Sequence, residues 1–286
     1  MNTHGSVKLA VAATLFGFAS IAQAVVIDDF DVGAQGAVFG SFNSGSPLAQ
    51  SGSERAPVVN IIGGERDIFV ASTAGGTGTT VRTGPDAVNG SYAHSQGVGT
   101  FGYSLVSWDG VDATAGANPF GSPATIFQGG GAIDSTVGLG GLDLIADGSL
   151  LNFELSNFSS SDTNDAVNIS FLVFSSDTAY SSLTVSLIGT STGTVFNIDT
   201  ADFVQGTPIT LLDGITQPQF LPTTMAQSEA DFTNVTAIAL LVDGTVADGL
   251  DVAISLLEVR DVPVAPSAMM LLLGLGGLAT RKRMTA

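Results

Sequence analysis

The segment Val167-Asn-Ile-Ser-Phe-Leu-Val-Phe174 is a short apolar run, and Ser182-Leu-Thr-Val-Ser-Leu-Ile188 follows it closely in the chain. In the second segment Leu183, Val185 and Leu187 alternate with hydroxyl residues, which places the three apolar side chains on one face of a β-strand. Runs of this length, rich in β-branched residues and separated by polar turns, are typical of antiparallel strands. These two segments therefore predict the centre of an all-β fold.

Similar segments recur on both sides of this centre with short spacing. They are Val25–Phe30, Phe101–Trp108, Thr194–Ile198, Val235–Val242 and Leu250–Val259, and the last two are separated by the turn pairs Asp243-Gly244 and Asp248-Gly249. Gly36 to Ser53 and Gly75 to Gly99 are rich in Gly, Ser and Thr, which favours long loops and edge strands there. No amphipathic helix separates the strands. The pattern predicts one antiparallel β-sandwich or jelly roll over residues 25–261.

The charge of this body is strongly acidic. The chain of 286 residues has 26 acidic and eight basic side chains, and only Arg55, Arg66, Arg82 and Arg260 of the basic ones lie within the body. The body therefore has a net charge of −22, because all the acidic residues fall between Asp28 and Asp261. Such a surface repels nucleic acid and attracts cations. The absence of cysteine also excludes disulfides, thiolate metal sites and cysteine nucleophiles.

Residues 1–24 have the three parts of a secretory signal peptide. Lys8 gives the positive start, Leu9 to Ile21 form the apolar core, and Ala22-Gln23-Ala24 is a small-residue cleavage site. We expect an N-terminal signal helix that is removed between Ala24 and Val25. The protein is then exported.

The C-terminal residues 262–286 contain three consecutive features. Val262 and Pro263 begin a proline-bearing segment that includes Pro266, an apolar run with glycines extends to Thr280, and Arg281-Lys282-Arg283 ends it. The run is short for a membrane span of ~30 Å, but terminal basic residues lengthen the effective span and keep their end in the cytoplasm. We expect a single transmembrane helix with Arg281, Lys282 and Arg283 as its stop.

This tail resembles the PEP-CTERM sorting signal of Gram-negative bacteria. Val262 and Pro263 match the start of the motif and Pro266 its second proline, whereas Val264-Ala265 replaces the acidic residue usually found between the prolines. The resemblance implies that an exosortase, a membrane protease, removes the tail. The protein would be anchored transiently in the inner membrane and then released to the cell surface or the extracellular space. An uncleaved stop-transfer anchor is the alternative.

Candidate ligand sites follow from the ends and from one aromatic residue. Asp28, Asp29 and Asp31 begin the fold and Glu258 lies near its end, so pairing of the terminal strands would bring carboxylates together for a structural Ca²⁺. The pattern of Ile27–Phe30 with the closing strands resembles galactose-binding-like sandwiches, and carbohydrate-binding jelly rolls often pair their first and last strands. Solvated carboxylates are the alternative to calcium.

Trp108 and Asp109, at the end of a predicted strand, are the best candidates for glycan binding. A sugar ring can stack on the indole while the carboxylate binds a hydroxyl, and the alternative is that Trp108 belongs to the core. The body has a single histidine, His94, no G-x-S-x-G elbow and no H-E-x-x-H pair.

These features favour a non-catalytic protein of the cell surface or extracellular matrix, associated with exopolysaccharide or biofilm. A recognition protein similar to carbohydrate-binding modules is the first alternative, and a glycan hydrolase on a sandwich scaffold is the second. The partners we expect are the processing protease and an extracellular polysaccharide, with no nucleic acid.

Overall fold

A computed structural model describes the strands of the body and parts of its connections. The described residues are 25–30, 38–43, 46–47, 49–53, 61–64, 66–74, 80–86, 91–110, 133, 138–145, 151–160, 166–188, 194–214, 221–222, 224–254 and 256–261. Contacts divide the chain into two compact units. One is Val25–Arg260, and the other combines Met1–Ala24 with Asp261–Ala286. Of the second unit only Asp261 is described.

The described residues form sixteen β-strands and two short 3₁₀ turns, Ile62–Gly64 and Thr200–Asp202. The strands, in chain order, are β1 (Val25–Asp28), β2 (Val38–Asn43), β3 (Ser46–Pro47), β4 (Ala49–Ser53), β5 (Asp67–Ala74), β6 (Thr80–Asp86), β7 (Ser91–Gln96), β8 (Phe101–Trp108), β9 (Leu151–Ser160), β10 (Ala166–Ser176), β11 (Ala179–Ile188), β12 (Thr194–Asp199), β13 (Val204–Gln205), β14 (Ala237–Gly244), β15 (Asp251–Ile254) and β16 (Leu256–Asp261).

These strands form two sheets. The nine-stranded sheet has the order β1-β16-β9-β15-β7-β6-β2-β3, with β12 paired to β9, and the seven-stranded sheet has the order β13-β11-β10-β14-β8-β5-β4. The registers of the paired strands are antiparallel. The predicted all-β antiparallel class is therefore confirmed, and the jelly-roll connectivity stays a prediction.

Side chains of both sheets meet in one apolar cluster. Ile27, Tyr92 and Ile254 enter it from the nine-stranded sheet, and Phe171 and Leu240 enter it from the seven-stranded sheet. Leu183, Val185 and Leu187 pack together at its margin, as their alternation predicts. The two sheets thus face each other across a common core, as in a sandwich.

The seven-stranded sheet also buries its outer face. Phe171 and Val173 of β10 point into the core between the sheets, whereas Leu172 and Phe174 belong to a second apolar cluster on the other face. Both faces of its central strands β10 and β14 are buried. Its central strands therefore read as continuous apolar runs instead of alternating ones.

The connection between β13 and β14 covers that outer face. Leu211, Leu221 and Ala226 of this connection are buried in the second cluster. Gly206 begins the connection, donates its N–H to the carbonyl of Tyr180 at 2.8 Å and accepts the N–H of Ala226 at 3.0 Å. A Cβ atom at Gly206 would overlap the Tyr180 ring, so only glycine lets the connection approach the sheet this closely.

We expect Gly206→Ala to lower the free energy of unfolding by roughly 1–3 kcal/mol, the usual cost of forcing atoms into a packed site. Urea unfolding followed by circular dichroism measures the change. The matched control is Thr207→Ala, because Thr207 is the next residue and is exposed. Equal stability of Gly206→Ala and the control would contradict this account.

The first and last strands pair with each other. Val25 lies opposite Val259 and Val26 opposite Glu258, and the register then shifts so that Asp28 lies opposite Leu257. The predicted first strand was too long, since β1 ends at Asp28 instead of Phe30. The Asp28 carboxylate accepts the N–H of Phe30 at 2.8 Å, and this local turn ends the strand.

The glycine-rich segments contain more strands than the sequence indicates. Gly36 to Ser53 includes β2, β3 and β4, and Gly75 to Gly99 includes β6 and β7. β3 and β4 are sheet edges, in agreement with the edge strands expected there, whereas β6 and β7 lie inside the nine-stranded sheet. The predicted strand Leu250–Val259 is divided into β15 and β16.

The predicted signal helix and sorting tail lie outside the described residues and stay predictions. Within the described ranges, no helix has the length and apolar character needed to cross a membrane.

Candidate functional site

Asp28, the first residue predicted to bind calcium, is the acceptor of a buried ion pair. Its side chain and that of Arg66 are both 0% exposed. Nη1 of Arg66 lies 2.7 Å from Oδ2 and 2.9 Å from Oδ1 of Asp28. The indole nitrogen of Trp108 donates to Oδ2 at 2.9 Å. The carboxylate is thus held by charge and by hydrogen bonds from three other residues, counting the Phe30 N–H.

Three separate parts of the chain bring this cluster together. Asp28 ends β1, Arg66 comes immediately before β5, and Trp108 ends β8. Phe30 has a φ of 55°, a left-handed conformation that non-glycine residues rarely adopt. Its ring lies 5.6 Å from the Arg66 guanidinium carbon and 6.3 Å from the Trp108 ring. The turn at Phe30 thus brings an aromatic face over the buried cation.

Burial raises the pKa of Asp28 above its ordinary value, and the charge of Arg66 and the three hydrogen bonds oppose that rise. A buried carboxylate loses its hydration, so it needs a partner of opposite charge to remain ionised. Arg66 is that partner.

This arrangement shows where the structure places Asp28, one of the residues predicted to bind calcium. Both of its carboxylate oxygens already accept hydrogen bonds from protein donors, so the side chain is engaged inside the fold. Glu258 lies opposite Val26 in the strand register and Asp31 lies outside the described residues. Among the described residues no group of three or more acidic, histidine or cysteine side chains could hold a metal ion. Calcium binding through Asp28, Asp29, Asp31 and Glu258 stays a prediction.

Trp108 and Asp109, the residues predicted to bind a glycan, lie in the interior of the body, and their role in glycan binding stays a prediction. Trp108 is 0% exposed and Asp109 is 3% exposed, so neither offers a surface on which a sugar could stack or hydrogen-bond. The three tyrosines Tyr92, Tyr103 and Tyr180 are buried as well. The large amphipathic aromatic residues of this chain therefore belong to the interior.

A second polar cluster lies between the sheets. β7 directs Tyr92, His94 and Gln96 inward, and each reaches the opposing sheet. The Tyr92 hydroxyl donates to Ser104 Oγ at 2.9 Å, and His94 Nδ1 lies 2.8 Å from the same atom. Gln96 Nε2 lies 2.8 Å from His94 Nε2 and donates to the carbonyl of Gly102 at 3.1 Å. Hydrogen bonds thus join β7 to β8 inside the apolar core.

The histidine of this cluster is neutral. Complete burial lowers the pKa of His94 from 6.5 to about 3. A neutral imidazole donates through one ring nitrogen and accepts at the other, and the two nitrogens of His94 face Ser104 Oγ and Gln96 Nε2. No substrate can reach a side chain that is 0% exposed. His94 and Ser104 therefore join the sheets and do not form a catalytic pair in this structure.

A third buried carboxylate anchors the connection over the outer sheet face. Asp243 accepts the Thr245 hydroxyl at 2.6 Å and the Leu212 N–H at 2.7 Å. Burial raises the pKa of Asp243, and it also raises the pKa of Tyr103, with Asp213 adding to both shifts. Asp243 was predicted as a turn former, and it does accept the Thr245 N–H at the end of β14. Its second contact, with Leu212, was missed.

The sequence analysis missed the burial of Arg66 with Asp28, because the partners are distant in sequence. Asp28 is 38 residues away from Arg66, and Trp108 is 80 residues away from Asp28. One signal was available, because Arg66 is one of four basic side chains in an acidic body. A rare cation beside strands rich in apolar residues is a candidate for burial with a carboxylate.

No protein-family model matches the sequence, and neither does a curated protein. Among solved structures the chain is similar to the family 11 carbohydrate-binding module of cellulosomal cellulase Lic26A-Cel5E of Clostridium thermocellum, with 13% identity and a TM-score of 0.35 over 85% of this chain and 97% of that one. A second structure is the family 11 module from the same organism in complex with a β-1,3-1,4-mixed-linked tetrasaccharide. It has 12% identity and a TM-score of 0.34, and the match covers 83% of this chain and 95% of that chain. The structure of PfGH50B has 11% identity and a TM-score of 0.31, and the match covers 78% of this chain and 24% of that chain. TM-scores this low do not support a conclusion about ligand or activity.

Proposed function

We propose that this chain is an exported, non-catalytic protein of the cell surface or extracellular matrix, associated with exopolysaccharide. The observation that carries the proposal is the charge of its surface. Arg66 and His94, the two basic residues whose side-chain exposure the structure describes, are both buried, whereas the side chains of Arg82 and Arg260 lie outside that description. Seven described acidic side chains are exposed: Asp143, Asp177, Asp202, Glu229, Asp231, Asp248 and Asp251. Such a surface stays soluble and attracts cations, which suits a protein held among charged polymers.

The non-catalytic part of the proposal is supported by where the reactive side chains lie. The body has one histidine and no cysteine, and His94 is enclosed between the sheets. Two of the buried carboxylates, those of Asp28 and Asp243, each accept hydrogen bonds from the protein. General acid–base chemistry needs such groups within reach of a substrate, and in the described residues these groups serve the fold.

The route to the surface follows from the two ends of the sequence. The signal peptide directs export, and the tail from Val262 holds the chain at the inner membrane until an exosortase cuts near Pro263–Pro266. We expect mass spectrometry of the exported protein to show a first residue at Val25 and a last residue near Pro263–Pro266. The control is the Arg281–Arg283 triple alanine variant, which lacks the basic stop. An exported protein that still ends in the intact tail would contradict sorting and would indicate a permanent anchor.

Glycan recognition is the second candidate function, and its partner would be an extracellular polysaccharide. Binding of the purified protein to a glycan array would favour recognition. Loss of a polysaccharide substrate during incubation would favour a hydrolase. If the protein is a non-catalytic surface protein associated with exopolysaccharide through its charge, we expect neither specific binding on the glycan array nor loss of the polysaccharide.

A further inference from the structure

We propose that two copies of this chain pair through the edge of the seven-stranded sheet, along Leu183–Leu187 of β11. The two strands would run antiparallel around a twofold axis at Val185 and join the two sheets into one. This assembly goes beyond the proposed function and does not depend on where the protein is located.

β11 is paired along one side only for most of its length. β10 pairs with it from Ala179 to Ile188. On the other side β13 pairs only with Ser181 and Ser182. Among the described residues no strand pairs with β11 beyond Ser182 on that side. An edge of this kind presents backbone N–H and C=O groups that can pair with another strand.

The side chains along this edge are incompletely covered. Leu183, Val185 and Leu187 pack at the margin of the core and are only partly buried, while Thr184 and Ser186 are exposed. A strand added beside them would complete the burial of the three apolar side chains. Apolar surface removed from water stabilises such a contact by about 25 cal/mol per Å².

The occupant that this edge fits is its own copy. In an antiparallel pair centred on Val185, Leu183 lies opposite Leu187 of the second copy and Thr184 lies opposite Ser186. Opposite residues in antiparallel strands share a face of the sheet. Apolar side chains would thus meet apolar ones on one face, and hydroxyl groups would meet hydroxyl groups on the other. A twofold interface needs this self-complementarity.

The charge of the chain also favours this position for contact between copies. The segment from Leu183 to Ile188 has no charged residue, whereas the described exposed charges are all acidic. Two molecules with bodies of net charge −22 repel each other wherever carboxylates face carboxylates. An uncharged, β-branched edge lets them approach, and a rise in ionic strength should strengthen the pairing because it screens the remaining repulsion.

Sedimentation equilibrium of the exported protein tests the proposal. We expect a monomer–dimer equilibrium that shifts toward dimer as salt is raised. The double variant Thr184→Lys/Ser186→Lys places lysines opposite each other across the axis and should weaken dimerisation at least ~10-fold, because like charges directly opposite are destabilising. The matched control is Thr207→Lys/Thr210→Lys, which adds the same charge at two exposed positions away from β11. Circular dichroism confirms that both variants fold.

A cysteine variant tests the register directly, because the native chain contains no cysteine. Val185→Cys places two thiols opposite each other at the axis, within the Cα separation of ~4.4–6.8 Å that disulfides need. Mild oxidation should give a covalent dimer with Val185→Cys and not with Thr210→Cys. A protein that stays monomeric at high salt, equal dimerisation of the two lysine variants, or equal cross-linking of the two cysteine variants would each overturn the proposal.

Discussion

Arg66→Met should lower the free energy of unfolding by about 3–5 kcal/mol, the largest stability change we expect from a single substitution in this chain. Arg66 and Asp28 are both fully buried and in contact at 2.7 Å. Methionine fills much of the space of the arginine stem but gives Asp28 no charge and no hydrogen bond. The Asp28 carboxylate would then stay in the core with only the donors from Trp108 and Phe30.

The pH dependence of the variant should differ from that of the native protein. Burial already raises the pKa of Asp28, and Arg66 opposes that rise. Without Arg66 the folded-state pKa rises further above the unfolded one. The folded variant then binds a proton more tightly than the unfolded variant, so its stability is greatest below the unfolded pKa and is lost as the pH rises. Arg66→Met should be less destabilised in acid than at neutral pH.

Urea unfolding of four proteins separates the ion pair from ordinary packing. The double variant Asp28→Leu/Arg66→Met removes both charges, and we expect it to recover most of the stability lost in Arg66→Met, since a buried pair can often be replaced by apolar residues without loss. Asp231→Asn is the control, because Asp231 is exposed and its carboxylate accepts hydrogen bonds from Thr233. A small loss in Arg66→Met, similar to that of Asp231→Asn, would show that the pair does not hold β1 in place.

The strands that the sequence predicted best are those with local signals. β10, β11 and β14 have long apolar or alternating runs, and their positions follow from residues close together in the chain. β6 and β7 were assigned to a glycine-rich stretch of loops and edges. β7 directs tyrosine, histidine and glutamine into the sandwich, so its inward face does not look apolar in the sequence. Only the opposing β8 and its Ser104 explain that face.

The candidate site shows the same limit. Three carboxylates near the start of the fold predicted a calcium site, and the terminal strands do pair as that prediction required. The identity of the Asp28 partner depended instead on Arg66 and Trp108, which come from two other strands or turns. Burial of Trp108 is the alternative to glycan binding that the sequence allows, and the structure shows that Trp108 is buried. Contacts between residues distant in sequence determine the surroundings of both Asp28 and Trp108.

Acidification should destabilise this protein through His94. The pKa of His94 is lowered from 6.5 to about 3 in the folded state because the ring is completely buried. Below pH 6.5 the unfolded chain therefore binds a proton on this residue that the folded chain does not bind. The free energy of unfolding should fall by about 1.4 kcal/mol for each pH unit between those two values, or about 3 kcal/mol by pH ~4.5.

His94→Gln isolates this effect from the other titrating groups. Glutamine can still donate to Ser104 and accept from Gln96, but it does not titrate. The raised pKa values of Asp28 and Asp243 stabilise the folded state in acid. The lowered pKa of Asp231 has the opposite effect and destabilises the folded state as the pH falls. These contributions are common to both proteins, so the difference in slope between native and His94→Gln reports His94 alone.

The test measures urea midpoints of the native protein, His94→Gln and Thr210→His from neutral pH down to about pH 4.5. We expect His94→Gln to differ from the other two proteins in how steeply its stability falls with pH. The native protein and Thr210→His, whose added histidine replaces an exposed side chain, should lose stability with the same slope. His94→Gln should begin less stable, since it disturbs a packed network, and then lose less as the pH falls. Parallel slopes for all three proteins would mean that His94 is protonated without unfolding the sandwich. Its place between β7 and β8 would then have to open to solvent in acid, because an imidazolium cannot stay in that apolar core unpaired.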